Sequence, residues 1–223
     1  MKNIAIVTAM ESEANYIIEK YNLKLTHKKT GISIFEGEYK NHKIILALCG
    51  IGKIFATIGT TYLFENYIFD KLVNIGLAGG ISKDKKINIG DVFLPNIFHQ
   101  HDFYIPFDGS EAEKLHNEII LKQIIKFEDD NFNIFNNGTC LTGDQFIDSP
   151  EKVSHFQEKY NGDLVEMEAY SIASVAREYH ALDKLIMIKG ICDNGTESAD
   201  TDLKTNLDLA MKNSLLVLEK VFS

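Results

Sequence analysis

The chain has 223 residues, 45% hydrophobic and 25% charged, with a formal net charge of -9 and an isoelectric point near 5.3. That length fits one large domain or at most two small ones, and it can bury a full core without disulfide or metal staples. The acidic balance and the lack of a long basic run argue against nucleic acid or an anionic membrane surface as partner, and no stretch approaches the roughly 20 apolar residues of a membrane span.

Residues 3–9, NIAIVTA, are a short β-branched run that predicts a buried strand. Its apolar part is too short for a signal peptide and acids follow at once, so none is expected. Residues 10–21 read as a helix with Glu11 and Glu13 in its first turn, where the helix dipole favours acids. Residues 31–50 read as two strands around a turn at Lys40–Asn41, 52–68 as a long apolar helix, and 71–82 as a strand running into a glycine turn. Residues 90–98 predict another strand, 112–127 carry helical periodicity, and 132–147 read as a strand with a loop at its end. Ser149 is placed as an N-cap, with Pro150 at the first helical position. Residues 164–180 look like a buried, small-residue helix approached through two acids, Glu166 and Glu168. Residues 185–193 predict a continuous apolar strand, and 202–222 an amphipathic helix with Leu203, Leu207, Met211, Leu215 and Leu218 along one stripe. Strands and helices alternate, and no repeat, low-complexity tract or proline-rich linker divides them. The expected fold is α/β: one three-layer α/β/α domain over residues 1–223, with a central mixed sheet and helices on both faces.

In such sheets ligands sit at the carboxyl ends of strands. That directs attention to Ala9–Glu13, Gly76–Gly80, Thr142–Ile147 and Gly190–Asn194, together with Glu166–Glu168. Each has an ordinary reading when taken alone. Glu13 complements a helix dipole, GLAGG is a tight strand-to-helix turn, and Asp193 before Asn-Gly is a turn residue. Glu168 is an exposed first-turn acid, and Phe146 and Ile147 are core. GLAGG lacks the dinucleotide-binding spacing, which excludes a dinucleotide-dependent oxidoreductase, and CGIGK lacks the phosphate-loop spacing. His101 and Asp102 have no matching cysteine or acid cluster and read as a polar loop, so neither metal nor cofactor is expected. Jointly the acids, glycines and apolar walls converge on one sheet edge. Two carboxyl groups in unlike settings suit cleavage of a glycosidic bond: one protonates the leaving group and the other activates water or stabilises the sugar.

The ordered set IAIVTAMESEA, GIGK, GLAGGIS with IGDV, TGDQFI, VEMEA and ICDNG spans nearly the whole chain. It resembles the purine nucleoside phosphorylase/uridine phosphorylase superfamily, and within it the bacterial 5'-methylthioadenosine/S-adenosylhomocysteine nucleosidases. The resemblance implies a nucleoside phosphorylase-like fold, a homodimer, no cofactor and hydrolysis of a purine nucleoside. It implies that Glu13 activates the attacking water, Asp193 protonates the purine at N7, and Glu168 binds the ribose hydroxyls with Met167 packed on the sugar. Phe146 would stack on the adenine and Ile147 would hold the base edge. Ala9, Met10, Ile51, Ala78 and Gly79 would lie near the sugar, its 5' group and the nucleophile, with Glu166 and Cys192 completing the nucleoside-binding set. The chain departs from the family pattern at Leu77 and Cys192, where small polar residues are usual, and in a shortened loop after Gln100-His101-Asp102. A phosphorylase would bring arginines to its phosphate, and Arg177 is the single arginine here. Phosphorolysis and non-catalytic nucleoside binding are the rival readings. Cys49, Cys140 and Cys192 lack metal spacing and cannot all pair, which suits a reducing cytoplasm.

Overall fold

The computed structural model describes residues 2–29, 31–105, 116–122 and 125–222. Among the described residues the strands belong to one mixed sheet of twelve. The sheet grows from β1 (Asn3–Thr8), whose alternating side chains are apolar on both faces. Parallel neighbours flank it: β4 (His42–Leu48) on one side and β5 (Lys71–Gly80) on the other. β4 pairs antiparallel with β3 (Ile32–Tyr39), and β3 in turn with the edge strand β2 (Lys24–Lys29). Beyond β1, β5 is shared. Its first part pairs with β1, most of its length pairs parallel with β12 (Leu185–Asp193), and its last two glycines meet β11 (Leu164–Glu166) antiparallel. β10 (Thr139–Thr142) lies parallel to β11, followed by β7 (Ile97–Gln100) and β8 (Ile119–Ile120), while β6 (Val92–Phe93) and β9 (Ile134–Phe135) extend the sheet beyond β12.

The period of two along β1 builds the three layers. Ala5 and Val7 face one core, shared with Ala56 and Leu63 of α2 (Lys53–Asn66) and with Ala169, Ile172 and Ala173 of α4 (Ala169–Glu178). Ile4 and Ile6 face the opposite core, shared with Ala14 and Ile17 of α1 (Glu11–Tyr21) and with Met211, Leu215 and Leu218 of α5 (Ala199–Val221). A smaller cluster, which includes Phe156, packs beneath α3 (Pro150–Tyr160). Local signals hold at several boundaries. Ser149 Oγ accepts from Lys152 N, with Pro150 opening α3, and Lys40 and Asn41 both take positive φ in the β3–β4 hairpin turn.

Four expectations are corrected. Of the helix expected over 112–127, Ile119–Ile120 form a strand against β7, 125–127 lie outside any regular element, and 112–115 and 123–124 fall outside the described residues. Ile119 is buried and Ile120 exposed, so a period of two wins locally over the helical one. The strand over 90–98 divides into β6 and β7, with Pro95 in the gap, where it cannot donate to a ladder. The strand over 132–147 likewise divides into β9 and β10. Finally GLAGG is not a turn: β5 runs buried and extended through Gly80.

α5 closes over β12 at a seam with no spare volume. A Cβ built on Gly190 would lie 2.5 Å from Ser214 Oγ and 2.6 Å from the Ala210 carbonyl oxygen. Gly190→Ala is expected to push α5 off the sheet and cost about 1–3 kcal/mol, read as a lower midpoint in urea unfolding. An unchanged midpoint would show that the seam yields freely.

Candidate active site

Three strand ends and the helices that follow them deliver the acids. β1 ends at Thr8, and the chain turns at once into α1, which places Glu13 one turn in. Its carboxylate is buried at 3% exposure. Oε2 accepts from Thr8 Oγ1 at 2.8 Å, Ala9 N at 3.2 Å and Met10 N at 2.9 Å, and Oε1 accepts from Leu77 N at 3.1 Å. Glu13 therefore does cap α1, but it does so from inside the fold and bridges to β5. The bridge needs Gly76, where a Cβ would stand 2.9 Å from Glu13 Oε1.

The second acid group answers why carboxylates precede an apolar helix. Glu166 ends β11 and is buried. Its Oε2 accepts from Glu168 N at 2.9 Å and Ala169 N at 2.8 Å, capping α4, and from Lys189 Nζ at 2.7 Å. Its Oε1 accepts from Thr142 Oγ1. Burial would raise its pKa, but the Lys189 ammonium, the Thr142 hydroxyl and the Glu168 N–H together hold the carboxyl below its ordinary value. The adjacent Glu168 is buried too, rather than an exposed first-turn acid, and its Oε1 accepts from Gly52 N at 2.8 Å. Burial first, then the Glu166 charge, push its pKa upward.

The third acid, Asp193, ends β12. Oδ1 accepts from Gly195 N at 2.8 Å and Oδ2 from the Cys192 thiol at 3.3 Å. Cys192 thus supplies a weak donor where a hydroxyl was expected. Burial raises the Asp193 pKa above the ordinary carboxyl value. Gly79 gives it room: a Cβ there would lie 2.6 Å from Asp193 Oδ1.

Glu13, Glu168 and Asp193 line one cavity of about 170 Å³. The other expected positions line it as well: Ala9, Met10, Ile51, Ala78 and Gly79 beside the first acid, Glu166 and Met167 beside the second, and Phe146, Ile147 and Cys192 on the remaining wall. Ile147 is buried, whereas Phe146 is 40% exposed and so is not a core ring. Leu77, noted in the sequence only as a departure, and Leu203, noted only on a helix stripe, complete the lining with Gln145 and Val165, none of which was expected there; Lys189, behind the lining, was passed over. The signal for Lys189 was a lone lysine inside the apolar run of β12. Lys53 was missed too. Its N–H donates to Asp144 Oδ1 at 2.8 Å and its Nζ meets Asp102 Oδ1 at 2.7 Å, tying α2 to the loop that carries Phe146. Asp102 is therefore an ion-pair partner. Burial would raise it, but Lys53 and the Asp144 N–H hold it low. Among the described residues no cluster of three or more His, Cys, Asp or Glu is arranged to hold a metal ion.

The family model of the phosphorylase superfamily matches residues 3–223. The chain belongs to the phosphorylase superfamily. Its similarity to named relatives runs over the full length. The 5'-methylthioadenosine/S-adenosylhomocysteine nucleosidase of Bacillus thuringiensis (strain Al Hakam) is 28% identical over 229 residues, covering 98% of this chain and 97% of that one. The nucleosidase of the same name from Neisseria meningitidis, solved with methylthio-immucillin-A, superposes with a TM-score of 0.80 at 26% identity, over 96% of this chain and 95% of that one. Futalosine hydrolase of Helicobacter pylori strain 26695 gives 0.79 at 25% identity, over 98% and 96%. For this superfamily member, a carboxyl group biased toward its protonated form shares an apolar cavity with three further acids. Such a set can give and take protons at one bond.

The Gly79–Asp193 contact is open to test. Gly79→Ala is expected to displace the Asp193 carboxyl and lower turnover by about 10² or more, while the unfolding midpoint falls far less than in Gly190→Ala. Undiminished turnover would show that the Asp193 position is not what matters.

Proposed function

We propose that the protein hydrolyses the N-glycosidic bond of 5'-substituted adenine nucleosides, releasing adenine and the 5'-substituted ribose. One observation carries the reading: three acids from separate strand ends share a single apolar cavity, and burial biases Asp193 toward its protonated form. The relatives' names narrow the candidate substrates to 5'-methylthioadenosine and S-adenosylhomocysteine, with 5'-deoxyadenosine and aminofutalosine compatible with the same acids. In this reading the whole chain is one nucleosidase domain that serves methionine salvage in the cytoplasm, needing neither metal nor cofactor.

Each acid has a task set by its surroundings. Adenine leaves poorly as an anion, so Asp193 gives its proton to N7 as the C1'–N9 bond stretches. Its raised pKa is the useful direction: the protonated form persists to higher pH, and turnover falls as pH rises through that value. Glu13, fixed on both oxygens, takes a proton from the attacking water. Glu168 accepts from the ribose hydroxyls, each hydrogen bond charge-assisted, and Met167 packs on the sugar. Phe146, exposed at the rim, covers the adenine while Ile147 holds its edge. Ala9, Met10, Ile51, Ala78 and Gly79 shape the space for the sugar and its 5' group. Hydrolysis is favoured over phosphorolysis because Arg177 sits on α4 outside the cavity lining.

The protein is further proposed to act as a homodimer. Ile54, Phe55 and Ile58 on α2 are 70%, 44% and 46% exposed, an apolar face beside the cavity wall at Ile51. Ile54→Glu is expected to give a monomer in sedimentation velocity. A wild-type monomer, or an unchanged dimer in the variant, would remove this face as the interface.

The catalytic reading is checked by adenine release from the four nucleosides, with and without phosphate. Asp193→Asn is expected to lose about 10²–10⁴ in turnover and still bind nucleoside. Strict phosphate dependence would make the protein a phosphorylase, and tight binding without adenine release would make it a non-catalytic binder. Turnover that survives Asp193→Asn would take Asp193 out of the chemistry.

A further inference from the structure

The site holds one cation for which the proposed bond cleavage has no task. Lys189 stands in the middle of β12 at 1% exposure, and its Nζ meets Glu166 Oε2 at 2.7 Å. Desolvating such a pair is costly, and an apolar residue would suit the run on either side of it. The placement nonetheless has a consequence for Glu168. The same Glu166 oxygen accepts from the Glu168 and Ala169 N–H groups, so the partner of Lys189 fixes the backbone from which Glu168 projects. Glu168 is also crowded by charge. Glu166 on β11, Glu13 on α1 and Lys189 on β12 all act on it, the thiols of Cys49 beyond β4 and Cys140 on β10 lie in the same field, and His101 beyond β7 faces Glu166. Burial and the two neighbouring carboxylates oppose ionisation of Glu168, while Lys189 and the Gly52 N–H favour it.

We propose that Lys189 is a positioning residue for nucleoside binding: through Glu166 it sets the Glu168 backbone, and by its charge it offsets part of the burial and carboxylate repulsion that disfavour the form of Glu168 able to accept both ribose hydroxyls. The proposal rests on the assignment of Glu168 to the ribose made above. Without the cation, Glu166 and Glu168 would take up an extra proton as a pair at higher pH. Either location harms binding. On Glu168 the proton removes an acceptor, and on Glu166 it loosens the cap that places Glu168. Removing the Glu166 charge while leaving Lys189 acts in the opposite sense, because Glu168 then faces the cation with one less carboxylate.

The test measures Kd against pH for an adenosine C-nucleoside, whose carbon–carbon glycosidic bond cannot be hydrolysed, so that turnover plays no part and any contribution of Asp193 to the profile is common to wild type and variants. Wild-type affinity should weaken on acidification. In Lys189→Met the midpoint of that weakening should move up by about one pH unit, Lys189→Arg should restore it, and Glu166→Gln should move it down. A purely structural role for Lys189 predicts lower unfolding midpoints with every binding midpoint unmoved, which would overturn the proposal. Should Lys189→Met not fold, Glu166→Gln decides alone: an unmoved or raised midpoint overturns the proposal and a lowered one sustains it. Wild-type protein that fails to bind the C-nucleoside, or binds it equally at all pH values, would instead remove Glu168 from the ribose and the proposal with it.

Discussion

Two carboxyl groups rest against the same strand, and they can do so only where that strand has no side chains. β5 lies centrally in the sheet, and its end is flanked by Glu13 on one side and Asp193 on the other. Cβ atoms at Gly76 and Gly79 would stand 2.9 Å and 2.6 Å from those carboxyl oxygens. Glycine is therefore required by space and not by turning, which is why a segment that reads as a loop continues as a buried strand. The surrounding architecture follows. With β5 extended to Gly80, β11 can pair with its last residues, and β12 can run alongside as far as Asp193. The strand ends that carry the second and third acids are thus brought up to the first.

Gathering acids in this way creates an electrostatic problem inside a chain that is already acidic. Glu13, Glu166, Glu168 and Asp193 are all buried around one space. Isolated buried charges are very costly, and the structure handles each differently. Glu13 is met by four donors, three of them main-chain N–H groups. Glu166 is matched by a full cation, two main-chain N–H groups and a hydroxyl. Asp193 receives one main-chain N–H and a thiol, and its proton is correspondingly harder to remove. Glu168 has a single main-chain donor and a carboxylate for a neighbour. The two acids with the fewest partners, Asp193 and Glu168, keep the most capacity for a ligand in the cavity they line. That suits a group meant to donate its proton and one meant to accept hydrogen bonds from a ligand.

Legibility in the sequence followed the range of the interaction. Continuous β-branched runs gave β1 and β12, and short-range chemistry gave the Ser149 cap and the Lys40–Asn41 turn, because each depends on residues a few positions apart. β2 was missed: KLTHKK has no apolar face, being an edge strand held by its ladder to β3 and kept soluble by lysines. β8 was misread because two isoleucines satisfy a helical or an extended pattern equally until β7 is placed beside them. At the site, the acids were legible as an ordered set of motifs. Their burial and partners were not, since Glu13 is tied to Leu77 and Gly52 to Glu168 across 64 and 116 positions. Lys189 was invisible for the same reason. A lysine in an apolar strand is an anomaly until its carboxylate partner is known.

The departures at Leu77 and Cys192 show which parts of the site the side chains do not carry. Residue 77 reaches Glu13 through its backbone N–H, and any residue but proline at that position in β5 offers the same donor. An apolar side chain there leaves the cradle of Glu13 intact and adds to the wall of the cavity. At Asp193 the main-chain N–H of Gly195 supplies the shorter hydrogen bond, at 2.8 Å against 3.3 Å from the Cys192 thiol. A thiol is a weak donor, so replacing a hydroxyl with it withdraws stabilisation from the ionised carboxylate while leaving the Gly195 anchor in place. The direction of that change favours the protonated form of Asp193. A substitution that looks like a loss of orientation therefore keeps Asp193 protonated to higher pH, the state in which the proposed cleavage needs it.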